Sequence, residues 1–359
     1  MCLTHTQAFD TARADAFAIK FLGMLNGGAI MLMTTMGHRT GLFDALSDSE
    51  PVTSQELAHK GKLNERYVRE WLGAMTTAGI VTYDPPTRRY TLPPEHARWL
   101  CRAADKCLAV TSQWVGVLAR VEDDVIEAFR TGKGVPYEKY TRFAEVMAED
   151  SRQNTVMALD EQILPLVPGL IERLEGGILA VDVGCGAGLA LLHLAQRFPQ
   201  SEFVGLDLLD THVASATARA ESDHIRNVAF RAMDVMHWKE QSAYDLVTTF
   251  DAVHDQSRPD LVLRNIRHAL RPDGVYLMQD IKAATAVEQN VENPLAPFIY
   301  TISCMHCMSV SLANNGMGLG AAWGKELALQ MLHEAGFATV DVREMPQDLL
   351  NYYYIARPG

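Results

Sequence analysis

Cysteine is scarce in this chain. Six in 359 residues are too few to staple a protein of this length, and the thiols are expected to be free in a reducing cytoplasm. Basic charge is also short. There are 32 Lys and Arg against 44 Asp and Glu, a net charge of −12. Residues 1–100 carry 10 of each sign, so the whole acidic excess lies in 101–359. Charge alone does not bring such a chain to a polyanion, and nucleic acid is not the expected partner. No basic-then-apolar leader opens the sequence. Long unbroken apolar runs are missing too. The most apolar stretch, Phe17 to Met36, is interrupted by Lys20, Asn26 and the pair Gly27-Gly28. A membrane span needs about 20 nearly continuous apolar residues, so a buried helix between subunits is expected there, and no membrane association. No internal repeat or low-complexity tract is present. What is there, 48% hydrophobic and 21% charged residues, suits a folded globular chain. At roughly 150 residues per domain the length suggests two domains or three.

The pattern along the chain changes twice. Residues 6–36 read as one helix, and GLFDAL (41–46) as a short one. Thr53 opens T-S-Q-E, a capping box with Glu56, and predicts a helix over 54–60. Asn64 caps a helix over 65–77, and Gly79 closes it. IVTY (80–83) and RYTL (89–92) are short strands joined by the turn DPPTR. Three helices and a hairpin make a winged helix within a first domain, 1–104. Residues 105–172 read as a mostly helical linker region with a loop near Gly132 to Pro136. From 173 to 359 strands alternate with helices. Apolar strands are expected at 178–183, 202–207, 228–232, 244–250, 274–280, 338–344 and 352–357. Such runs between helices predict an α/β domain, a mainly parallel sheet covered on both faces.

The sharpest motif is VDVGCGAG, 181–188. A strand passes into a helix through Gly184, Cys185, Gly186 and Gly188, where glycine permits a tight turn and a close ligand approach. The spacing is G-x-G-x-G, and Leu189 stands where a dinucleotide fold would place its third glycine. Asp182, two residues before the first glycine, sits badly against a pyrophosphate and well against an amino group. The next strand ends in Asp207, 25 residues on, where an acid can accept both ribose hydroxyls. The third is followed by Met233-Asp234-Val235, where an acid can take a purine amine.

The set D-V-G-C-G-A-G, L-D-L and M-D-V resembles the class I S-adenosylmethionine-dependent methyltransferases over about 178–357. The resemblance implies a Rossmann-like seven-stranded domain whose last strand is antiparallel, with S-adenosyl-L-methionine as cofactor. It places Asp182, Gly184, Cys185, Gly186 and Gly188 around the methionine part, Asp207 and Leu208 at the ribose, and Asp234 with Val235 at the adenine. Phe250 and Asp251, at the fourth strand's exit, belong near the transferred methyl.

Methyl transfer is an in-line displacement from an activated donor. For a hydroxyl acceptor the protein must align the nucleophile and remove a proton. The place for this is just past the fourth strand, where the chain reads TTFDAVHDQ (248–256). His254 titrates naturally near neutrality, with Asp255 beside it to orient the ring or cap the following helix. The stretch YDLVTTFDAVHD is similar to caffeate-type O-methyltransferases, which carry an H-D pair at this spacing and a winged-helix dimerisation domain. By that resemblance His254 is the general base. Read from the residues alone, it could equally be a surface histidine at a helix start. Those enzymes continue H-D-W, whereas Gln256 follows here. The whole chain also resembles a less characterised bacterial group with F-D-A-x-H-D-Q and a G-L-G-x-x-W-G run like 318–324. No N/D-P-P-Y/F run follows strand four and no Pro-Cys dipeptide occurs, so N-methylation and nucleic-acid methylation are not favoured.

Cys304 and Cys307 have C-x-x-C spacing but lack a second pair for a zinc knuckle. No metal is expected, and the segment reads as pocket lining. The insertion 281–320 is expected to be a substrate-covering lid. The winged helix could bind DNA, but Glu65 and Glu70 offset its Arg66 and Arg69. The sequence therefore predicts a cytoplasmic, homodimeric methyltransferase acting on a small molecule, at oxygen. The alternative is a DNA-binding regulator whose second domain senses the cofactor.

Overall fold

The computed structural model describes residues 9–104 and 106–359 and divides into two compact units, Met1–Gly116 and Val117–Gly359. In the first, a 30-residue helix runs Thr11–Thr40. Its expected start at residues 6–8 lies outside the described residues. Asp10 caps it by accepting from the Arg13 amide at 3.1 Å, and Gly41 ends it at φ +74°, a left-handed conformation that glycine adopts without strain. Only its last turns are packed. Trp71 Nε1 donates to the Met33 carbonyl at 2.9 Å, and a Cβ on Gly37 would sit 2.5 Å from the Trp71 ring. The rest of the helix is uncovered by the described residues of its own unit. Phe17, Ile19, Phe21, Leu22 and Leu25 are 58–72% exposed, so the burial expected of this stretch is not supplied by its own fold. By length and composition the helix could cross a membrane, as could the half-buried run Ala296–Ala313.

Helices Leu42–Ser47, Ser54–Gly61 and Glu65–Thr77 follow, then a hairpin of β1 (Thr82–Asp84) and β2 (Arg89–Thr91). The Thr53–Glu56 capping box is complete. Phe43, Leu57, Val68, Trp71, Leu72 and Met75 form the core of this winged helix. Each such side chain contributes about 1.5–3 kcal/mol of burial. The cations of the last helix are spent on its own acids: Arg66 pairs with Glu70, and Arg69 with Glu65 at 2.9 Å.

The second unit is a seven-stranded sheet flanked by helices. Its strands are β3 (Leu179–Val183), β4 (Glu202–Asp207), β5 (Val228–Ala232), β6 (Tyr244–Phe250), β7 (Leu270–Ile281), β8 (Thr339–Arg343) and β9 (Asn351–Arg357). They lie in the order β5-β4-β3-β6-β7-β9-β8. All pairings are parallel except those of β9. Alternation explains the continuous apolar runs. Val181, Val183, Val247, Tyr276 and Met278 enter one core. Ala180, Leu246, Val275 and Leu277 enter the other. The strand order reverses between β3 and β6, and in an open α/β sheet the crevice at the carboxyl ends of such strands is where ligands bind.

The residues between β7 and the helix Gly324–Glu334 hold helix Ala296–Ile302, a π-turn Ser303–Cys307 and helix Met308–Ala313. This segment is tied down. Tyr140 Oη donates to the Met305 carbonyl at 2.6 Å, and the Met317 amide donates to the Ser257 carbonyl at 2.8 Å. A Cβ on Gly134 would fall 1.7 Å from the Ser309 oxygen, so only glycine admits this approach.

Candidate active site

The turn after β3 is built from left-handed residues. Gly184, Gly186 and Gly188 have φ of +75°, +52° and +71°. A side chain at Gly188 would meet Phe230 at 2.6 Å and Ala216 at 2.9 Å. The Gly184 and Cys185 amides donate to the Leu206 carbonyl at 2.7 and 3.1 Å, which locks the turn to β4.

Two carboxylates flank this turn in opposite electrostatic states. Asp182 is buried, and burial pushes its carboxyl up to about 7 although Thr248 donates to it at 2.7 Å. Burial works to raise Asp207 as well. The His212 ring and the Leu209 and Gly186 amides, at 3.1, 3.0 and 2.8 Å, outweigh it and hold Asp207 below its ordinary range. A carboxylate has about four acceptor positions, and three are filled. Two ribose hydroxyls would therefore have to displace the His212 ring.

A cavity of about 110 Å³ opens here. Asp182, Gly184, Cys185, Gly186 and Phe250 line it from the sheet edge, joined by His212. Tyr137, Ala144, Met147, Ala148 and Ser151 cover it from the preceding helical segment, a contribution the sequence did not reveal. Gly188 and Asp207 support the turn. Leu208 is exposed and Val235 buried. Asp234 caps its own short turn by accepting from the Met236 amide at 3.0 Å. The donor set suits S-adenosylmethionine. It offers a buried carboxyl without a cation and an ionised carboxylate 25 residues later, around a cradle that a Cβ would obstruct.

A Cβ on Gly184 would meet Ala252 at 2.6 Å, so the loop after β6 lies against the glycine turn. His254, two residues on, is 3% exposed. It is therefore not a surface histidine. Its Nδ1 is hydrogen-bonded to Asp280 Oδ1 at 2.8 Å, and its Nε2 lies 3.2 Å from Asp255 Oδ1. Asp280, at the end of β7, also accepts from Trp323 Nε1 at 2.9 Å and from the Ile281 amide at 2.8 Å. Burial alone would lower the His254 pKa, but the Asp280 and Asp255 charges reverse this and raise it well above the ordinary value. The group that fixes the ring is thus Asp280, a residue unmarked by any motif. Its one signal was an acid at the carboxyl end of a buried strand. Asp251 is partly buried, at φ +53°, and accepts from Gln279 Nε2 at 2.7 Å. Burial, then the Asp280 charge, raise it well above the usual carboxylate range. Strained backbone of this kind at a cleft is where function is commonly found.

Comparison with known proteins agrees with this geometry. Residues 28–102 match the Rv2258c-like winged HTH domain, and residues 174–336 match a methyltransferase domain family. A trans-aconitate 2-methyltransferase from Methylobacterium radiotolerans is 33% identical over 142 residues, 39% of this chain and 46% of that protein. The erythromycin 3''-O-methyltransferase of Saccharopolyspora erythraea is 29% identical over 182 residues, 47% of this chain and 54% of that one. The chain thus spans about half the length of these curated relatives. Among solved structures, human N-acetylserotonin methyltransferase in complex with S-adenosylmethionine superposes with a TM-score of 0.68 at 16% identity, over 100% of both chains. An O-methyltransferase family protein from Burkholderia thailandensis does so with 0.68 at 14%, over 95% of this chain and 98% of that one. At such identities the likeness is one of fold.

Proposed function

For a chain that joins an Rv2258c-like winged HTH domain to a class I S-adenosylmethionine-dependent methyltransferase domain, we propose that it methylates a hydroxyl of a small molecule. The bound cofactor supplies a sulfonium methyl, already activated for displacement. Asp182 would hold the cofactor's amino group and Asp207 its ribose, with Phe250 lining the same cavity. His254 Nε2 takes the acceptor's hydroxyl proton while Nδ1 stays on Asp280, so the imidazolium forms between carboxylates that stabilise it. Transfer of that methyl to oxygen would break the C–S bond and leave a neutral thioether, and the chain's own part is the proton taken at His254.

The observation that carries this reading is the buried His254–Asp280 pair beside the glycine turn. A surface histidine would have no such partner. The exposed apolar face of Thr11–Thr40 supports a homodimer in which this helix packs on a second copy. The paired arginines of the third winged-helix helix speak against phosphate binding. The test is transfer of labelled methyl from S-adenosylmethionine to a panel of small phenols, alcohols, amines and thiols, with products identified by mass spectrometry. Label on oxygen, lost in His254→Ala, is expected. Label on sulfur or nitrogen that survives His254→Ala would retire the O-directed reading.

A further inference from the structure

Four side chains meet next to the His254–Asp280 pair in a way that proton transfer does not explain. A His254 ring nitrogen, an Asp255 carboxylate oxygen and Cys307 Sγ all lie within 4.8 Å of one another. His254 and Cys307 are buried, and Asp255 is partly so. His306 is fully buried, its ring stacked 3.6 Å from that of Phe143. Its Nδ1 lies 3.9 Å from Asp255 Oδ2. Among the described residues neither His306 ring nitrogen has a hydrogen-bond partner, nor has Asp255 Oδ1. Buried polar atoms left in this state cost about 1–3 kcal/mol each, and here three of them fall in one place.

We propose that His254, Asp255, Cys307 and His306 bind a thiophilic divalent cation of the Zn²⁺ type. Zinc takes imidazole, thiolate and carboxylate together, at about 2.0–2.3 Å in a tetrahedron. The edges of such a tetrahedron are about 3.3–3.6 Å. The 3.2 Å between His254 Nε2 and Asp255 Oδ1 is close to that range, and His306 Nδ1 lies 3.9 Å from the other oxygen of the same carboxylate, Oδ2. The outer shell is also in place. Asp280 holds His254 Nδ1 at 2.8 Å, the carboxylate–histidine arrangement that presents the opposite ring nitrogen to a metal. Trp323 and the Ile281 amide hold Asp280 in turn. The mixed thiolate and imidazole set selects zinc-like ions over Mg²⁺ or Ca²⁺. On binding, the Cys307 thiol gives up its proton to solvent. The partners of Cys307 are thus His254 and Asp255, not Cys304 of the same C-x-x-C run. A cation at Nε2 excludes an acceptor hydroxyl from it, so the metal-bound form and the form that removes a proton at His254 are mutually exclusive.

The test titrates the full-length chain with Co²⁺ after dialysis against a chelator. The cluster should yield a near-ultraviolet thiolate-to-cobalt band at one equivalent, displaced by Zn²⁺. Cys307→Ser should abolish the band, and Cys307→Ala serves if the serine variant is unfolded by circular dichroism. Cys304→Ser should leave the band intact. Asp280→Asn leaves every ligand in place and should weaken Zn²⁺ by about 10–100-fold. Absence of the band from the wild type, or its persistence in a folded Cys307 variant, overturns the proposal. The readout is the spectrum of the metal, so the result stands whether or not His254 removes a proton in turnover.

Discussion

Asp182 offers the sharpest link between burial and binding. Its carboxyl titrates near 7 because it is buried with a single hydroxyl donor, Thr248. If it pairs with the cofactor's ammonium, binding needs the ionised form. At pH 5, two units below that value, about 1% of the free protein carries the charge. Each unit is tenfold, or about 1.4 kcal/mol. The affinity for S-adenosylhomocysteine should therefore fall roughly a hundredfold between pH 7.5 and pH 5, a range in which the ligand's amino group keeps its proton. Asp182→Asn keeps the Thr248 contact and removes the charge. Its affinity should be low and nearly flat with pH. The sign for stability follows from the same group. Its folded pKa lies above its unfolded value of 3.8, so the native state binds more protons between about pH 4 and 7. Apo-protein stability then falls as pH rises through that window, and less so in Asp182→Asn. Calorimetry at several pH values reads the first effect and thermal melts the second. A wild-type affinity that does not change with pH, or an Asn variant with the same slope, refutes the reasoning.

His254→Ala should lower turnover by about 10²–10⁴-fold with S-adenosylhomocysteine binding intact in calorimetry. The wild-type rate should climb with pH well beyond the 6–7 region expected of an ordinary histidine, since Asp280 and Asp255 hold the proton on the ring; a plateau by pH 7 contradicts this. Gly188→Ala should lower the melting temperature, because its Cβ meets Phe230 and Ala216 at under 3 Å in a left-handed backbone. Overpacking of this kind costs about 1–3 kcal/mol, and an unchanged Tm would refute it. A chain starting at residue 38 should be monomeric or aggregated in light scattering, while the full-length chain is a dimer without detergent. A full-length monomer would end the dimer reading, and solubility only in detergent would favour a membrane.

Much of this was legible because it rests on local rules. The Thr53–Glu56 capping box, the Gly184–Gly188 turn and the apolar runs of β3, β4 and β6 each follow from spacing and side-chain type. The seven-stranded sheet with an antiparallel last strand followed from what the glycine turn resembles. What the sequence could not show is long-range. Asp280 lies 26 residues from His254 and carries no motif, and only the parallel pairing of β6 with β7 brings them together. Tyr137 and Met147 reach the cavity from a segment that reads simply as helix. The His254 environment was also hidden: a histidine before an acid reads as near-neutral until two carboxylates and full burial are known. The apolar helix expected over 6–36 was read as buried between subunits, and the described residues of its own unit leave its apolar side chains exposed.

The glycine turn, Asp182 and Asp207 support an S-adenosylmethionine site and not a dinucleotide site. The most direct measurement is calorimetric titration of the full-length chain with S-adenosylhomocysteine and, in parallel, with NAD, repeated on Asp207→Ala. Charge-assisted hydrogen bonds are worth about 1.5–3 kcal/mol each, so the account predicts tight binding of the first ligand, none of the second, and at least about a tenfold loss in the folded variant. Binding of NAD instead, or an affinity for S-adenosylhomocysteine that Asp207→Ala leaves unchanged, would contradict it.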